Sequence, residues 1–143
     1  MRMGLSLRLS IISALSANNL MSFEFDLFDW IDRSLAESID SSVIAFCFDL
    51  YSPDGIELIG SSLFDVNDRN WANSDDFIPS QRGMDIPENF CSANRVEHLE
   101  TMTDFIKRYL VSDRPGARIL LNCRAVAIGF VDGDLKIINQ NTI

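Results

Sequence analysis

The residues with chemistry to offer in this chain are one histidine, a run of aspartates and three scattered cysteines. His98 has Glu97 beside it and Glu100 two residues on. A general base needs a partner and an orienting group within hydrogen-bond reach. No Ser-His-Asp or Cys-His pattern is legible from spacing, although triad members can lie far apart in sequence. With no second histidine to share the work, His98 reads as a surface residue of a helix.

The aspartates are Asp65, Asp68, Asp75 and Asp76, with Glu57 and Asp85 close by in sequence. Oxygen-rich clusters can bind Ca²⁺ or Mg²⁺. The stretch 65–76 has the length of an EF-hand loop but lacks its central glycine and final glutamate. Aspartates in such a stretch ordinarily cap turns and helices, so no metal is expected. Cys47 and Cys123 lie in or beside apolar runs and read as small core residues. Cys91 has no adjacent base to activate it. Three cysteines with no C-x-x-C pair give no disulfide framework, and a reducing cytoplasm is the simpler compartment. Gly60 and Gly129 fall inside apolar runs, where glycine marks a bulge or a close backbone approach. Neither belongs to a phosphate-cradling motif, so no nucleotide or other cofactor is expected. The chain reads as non-enzymatic, with no catalytic residue to name.

The charge balance points the same way. There are 21 acidic and 12 basic residues in 143, a net charge of −9. That disfavours nucleic acid, whose binding needs clustered Lys and Arg. It also disfavours anionic membrane surfaces. It suits a basic protein partner, because opposite fields speed encounter. The plain alternative is that acidity serves only solubility.

These residues must be positioned by a single domain, for which the length suffices. Residues 1–20 differ from the rest: they contain Arg2 and Arg8 and no acid. They read as an N-terminal extension, from an upstream start, a weak signal-like segment or an amphipathic helix. Residues 21–143 read as the domain. A helix is expected over 23–40, with Phe23, Leu27, Trp30, Ile31, Leu35 and Ile39 on one face. Residues 42–51 and 56–64 read as a hairpin about Ser52-Pro53-Asp54-Gly55. Residues 65–93 look irregular, pinned by Trp71, Phe77, Ile78 and Phe90. A second helix over about 94–111 carries Val96, Leu99, Met102, Phe105, Ile106 and Leu110, and Asp113-Arg114-Pro115-Gly116 stops it. Residues 117–123 read as a helical turn or a strand. A closing hairpin turns at Asp132-Gly133, a pair typical of type I′ turns. The expected fold is α+β: a mostly antiparallel sheet of two hairpins with two main helices packed on it.

Two stretches, IELIGSSLFDVNDRNWANSDDF and AVAIGFVDGDLKII, resemble small acidic bacterial immunity proteins of polymorphic or contact-dependent toxin systems. The likeness rests on Ile59-Gly60, Phe64-Asp65, Asp68, Trp71-Ala72 and Gly129 to Leu135. Asn73-Ser74 departs from it, where the family pattern has a Cys-Asp-like pair. The resemblance implies a cytoplasmic immunity protein that neutralises a basic toxin through an acidic surface. On that reading Asp65, Asp68, Asp75, Asp76 and Asp85 contact the partner. Trp71 reads first as an apolar plug under the loop and second as an anchor in the interface. The competing reading is an acidic structural or adaptor domain without a toxin partner.

Overall fold

A computed structural model describes residues 6–51 and 54–142, with side chains from residue 20 onward. The elements run α1 (Ser6–Leu35), β1 (Ala45–Tyr51), β2 (Gly55–Ser61), β3 (Gly83–Asp85), α2 (Arg95–Leu110), α3 (Pro115–Asn122), β4 (Ala125–Phe130) and β5 (Leu135–Gln140). The sheet order is β3-β2-β1-β4-β5.

The fold is α+β, and both hairpins form, β1 with β2 and β4 with β5. Three of the four strand pairings are antiparallel, as expected, and the central one is not. β1 and β4 lie parallel at the centre, Ala45 opposite Ala125 through Leu50 opposite Phe130, so the sheet is mixed. Parallel neighbours need a long crossover, and the chain between β2 and β4 supplies it with α2 and α3. α3 is a third helix where the sequence left helix and strand open. Pro115 opens it, at the position where a fixed φ and a missing N–H do no harm. β3 is a short edge strand hidden within the stretch read as irregular.

The apolar stripe of α1 is buried from Phe23 to Leu35 as its spacing predicts. The helix ends at Leu35 rather than residue 40. Ser38, Asp40, Ser41 and Ser42 follow, and such side chains compete for backbone hydrogen bonds; Asp40 Oδ2 accepts from the Ser42 N–H at 3.0 Å. Its backbone starts at Ser6 and runs unbroken through the boundary expected at residue 20. The start of the chain, residues 1–5, lies outside the described residues, as do Ser52 and Pro53 of the expected first turn.

α2 begins where Asn94 Oδ1 accepts from the N–H groups of Val96 and Glu97. Its buried face is His98, Met102, Phe105, Ile106 and Tyr109. Val96 is 67% exposed and His98 only 5%. Met102, Phe105, Ile106 and Leu110 are buried as expected and Leu99 packs against the core, but in the first turn His98 is buried in place of Val96, so His98 is not a surface residue. Asp32 ties the three helices together: it accepts from Tyr109 Oη at 2.7 Å and from Arg114 at 2.6 Å. Gly116 lies against that tyrosine hydroxyl, where a Cβ would meet it at 2.1 Å.

The closing turn is not type I′. Among the described residues no glycine has positive φ. The Gly133 N–H donates to the Phe130 carbonyl at 3.0 Å. The turn thus centres on Val131 and Asp132, with glycine at the fourth position that type I turns favour.

Strand alternation gives the sheet two faces. Phe46, Phe48, Leu50, Ile56, Leu58, Val126 and Ile128 meet the helices in one continuous core. The other face is covered by the segment after β2.

Candidate functional site

The face turned away from the helices carries small residues: Ala45 and Cys47 on β1, Ala125 and Ala127 on β4. They leave room for a large side chain, and Trp71 takes it. A 3₁₀ turn, Arg69–Asn73, delivers the indole, and Asp68 starts that turn by accepting from the Asn70 N–H at 3.0 Å. The ring meets Phe64 edge-on at 5.3 Å. Ser61 Oγ donates to the Trp71 carbonyl at 2.7 Å and so ties the turn to β2. Trp71 is 4% exposed. It is the plug of its loop, and as placed it presents no surface to a partner. Gly60 lets the loop return: its backbone exchanges two hydrogen bonds with Phe77, and a Cβ there would lie 2.8 Å from Val43.

Around the plug the aspartates are exposed, and three are fixed by their own hydrogen bonds. Asp65 Oδ1 accepts from the Asn67 N–H at 2.9 Å. Asp76 Oδ2 accepts from the Ser62 N–H at 2.7 Å and from Ser74 Oγ at 2.5 Å. The hydrogen bonds from Ser74 and Ser62 hold the Asp76 carboxyl below its ordinary range. Asp75 lies 3.5 Å from Arg82, which also pairs with Glu57 at 3.2 Å. Asp65, Asp68, Asp75 and Asp76 therefore share one loop. Asp85 does not join them. It pairs with Gly55 at the far end of β2, about 20 Å along the strand from Ser61.

The same face holds a carboxylate that the loop-centred reading passed over. Asp49 faces away from the helices, directly across from Glu57. Its Oδ1 accepts from the Cys47 thiol at 3.3 Å. Burial raises the Asp49 pKa, and the nearby Glu57 charge adds to the rise, against the lowering hydrogen bond from Cys47. Arg69 lies close enough to act on both groups. Its Nε is buried without a partner among the described residues. The signal was present in FCFDLY, where the alternation that buries Phe46, Phe48 and Leu50 must turn Asp49 to the other side.

The three thiols are protonated at neutral pH. Burial pushes Cys47 and Cys91 up and takes Cys123 to about 11. His98 is neutral too, because burial lowers its pKa against a smaller opposing effect from the Phe90 backbone. Among the described residues no group of three or more His, Cys, Asp or Glu side chains is close enough to hold a metal ion. Nor is any helix among them long and apolar enough to cross a membrane.

No protein-family model, curated protein or solved structure matches the chain. The site must be read from its own geometry. Residues 49–88 contain nine acids and two bases, whereas residues 89–124 contain four acids and six bases. The segment that builds the loop-covered face is therefore strongly acidic, as is the stretch 21–48 with six acids and one base, and the loop's capping aspartates each commit one oxygen to the backbone.

Proposed function

We infer that this chain is a non-enzymatic protein-binding module whose loop-covered face receives a basic partner. One observation carries the reading: exposed carboxylates of the 65–76 loop are fixed in place before any partner arrives. Asp65, Asp68 and Asp76 each hold the loop with one carboxylate oxygen. The second oxygen of each has no partner among the described residues. Trp71 clamps the loop from beneath. Groups already ordered lose little entropy on binding, and an acidic surface of this kind steers a cationic protein toward it. Asp49 and Glu57 extend the negative patch onto the sheet.

The motif resemblance supplies the specific form of the proposal: a cytoplasmic immunity protein that neutralises a basic toxin. Its contacts would be Asp65, Asp68, Asp75 and Asp76. Trp71 would act by holding the loop, and Asp85 would lie outside the contact.

The test is to purify the tagged full chain from its native host at low and at high salt, beside a variant with Asp65, Asp68, Asp75 and Asp76 changed to Asn. The expected result is a stoichiometric basic protein that is lost at high salt and lost from the variant. A partner that the variant retains at full occupancy would move the interface elsewhere.

A further inference from the structure

The parallel strands β1 and β4 end side by side, joined where the Val131 N–H donates to the Leu50 carbonyl at 3.0 Å. α2 begins directly above these ends, and between them lies a cavity of about 370 Å³. That is within the size range of small-molecule pockets. Leu50 and Phe130 give it an apolar floor, and Ser92, Arg95, His98 and Asp132 supply its polar groups.

These polar groups are unevenly satisfied. Asp132 is already engaged by Arg95 Nη2 at 2.7 Å. The Ser92 hydroxyl donates to Glu97 at 3.1 Å. Arg95 spends one nitrogen on Asp132, and among the described residues its other two guanidinium nitrogens have no partner. Its Cζ lies over the Phe130 ring, 4.0 Å from the centroid. His98 is 95% removed from solvent, its ring lies 5.8 Å from that of Phe130, and its Nδ1 has no partner among the described residues. A neutral imidazole carries one N–H and one acceptor nitrogen, and the Phe90 backbone already engages the ring as an acceptor. The N-terminal end of α2 adds the positive end of a helix dipole. The spare donors are those of Arg95, and they call for an acceptor that a planar guanidinium fork can hold.

We propose that this cavity binds a small organic carboxylate. Its carboxylate displaces Asp132 from Arg95, and its apolar body lies against Leu50 and Phe130. The exchange swaps one ion pair for another, so Asp132 acts as an internal competitor that closes the mouth when the cavity is empty. This site is separate from the acidic loop and does not depend on the partner-binding reading.

The probe is benzoate, titrated into the full-length ¹⁵N-labelled chain and followed by NMR, with acetate and inorganic phosphate as parallel arms. Benzoate should give saturable shifts centred on Leu50, Arg95, His98 and Phe130. Acetate and phosphate should bind more weakly, because neither has a body to cover the floor. Asp132→Asn should tighten benzoate binding about two- to fivefold, the worth of one exposed ion pair removed from competition. Arg95→Met should abolish it. Both side chains are largely exposed, so each variant should keep the parent fold, which the same spectra check. Equal response to all three anions would overturn the proposal, as would benzoate shifts that survive Arg95→Met or an Asp132→Asn variant that binds no tighter.

Discussion

The two faces of the sheet are built on different principles. The helical face buries 22 residues in one cluster, with Trp30, Phe48, Phe105 and Tyr109 among its largest members. The other face buries seven, four of them Ala45, Cys47, Ala125 and Ala127, beneath one loop and one indole. The first is interlocked through three helices and the Asp32 clamp. The second is held by a single large side chain, and charged groups crowd its margin. Where burial is extensive, a sequence spends its residues on shape. Where it is thin, the covering loop stays at the surface, and its aspartates are exposed. On the proposed reading, stability and recognition fall on opposite sides of the same strands.

The largest expected effect tests that division directly. Phe48→Ala empties the helical face and should destabilise the whole domain by about 3–5 kcal/mol, read as a drop in the denaturant midpoint. Trp71→Ala removes still more volume from the other face. Its neighbours there are few, and the loop above can collapse or open. The expected cost is about 2–3 kcal/mol, with hydrogen-exchange protection lost in residues 62–76 while β1 and β4 keep theirs. If both substitutions unfolded the domain equally and globally, the two faces would be one cooperative core and the comparison would fail.

The helical face was also the more legible of the two. The stripe from Phe23 to Leu35 and the two hairpins are local patterns, and local patterns survive folding. The parallel pairing of β1 with β4 is not local: no residue in either strand specifies which neighbour it will take, so two hairpins read correctly did not disclose the parallel join between them. His98 was misplaced because Val96 and Leu99 made an equally regular stripe, and the choice was settled by packing against Phe130 rather than by spacing. On the loop side, the aspartate cluster and the preference for Trp71 as a plug were readable. The distance of Asp85 from that cluster was not, because it depends on β3 pairing along the length of β2.

Acid should separate the faces by sign. Burial lowers His98 from 6.5, so the unfolded chain takes up its proton first. Its contribution is intact above that ordinary value and is lost as the pH falls through it. Asp49, on the opposite face, is raised above 3.8. The folded chain protonates first there, so the penalty of its buried charge is present at neutral pH and fades as the pH falls through the folded value. His98→Leu should flatten the loss of stability just below neutrality, while Asp49→Asn should raise stability at neutral pH and match the parent near pH 3.8. Denaturant unfolding at a series of pH values reads both slopes. Parallel slopes in the two variants would mean that neither face titrates as its burial requires.

The smallest expected effect on stability bears most directly on function. Asp65, Asp68 and Asp76 do two jobs: each holds a turn through one oxygen, and each carries a charge. Asparagine retains an accepting oxygen in nearly the same place, and alanine retains neither property. Asp68→Ala should therefore cost about 1 kcal/mol through the lost cap, whereas Asp68→Asn should stay within about 0.5 kcal/mol of the parent. If the charges are there for a partner, the triple asparagine variant should remain as stable as the parent yet lose the salt dependence of association with a basic protein. If instead the aspartates are only turn formers, alanine should damage the loop while asparagine leaves association unchanged at every salt concentration. The asparagine set separates the two roles because it leaves the loop in place.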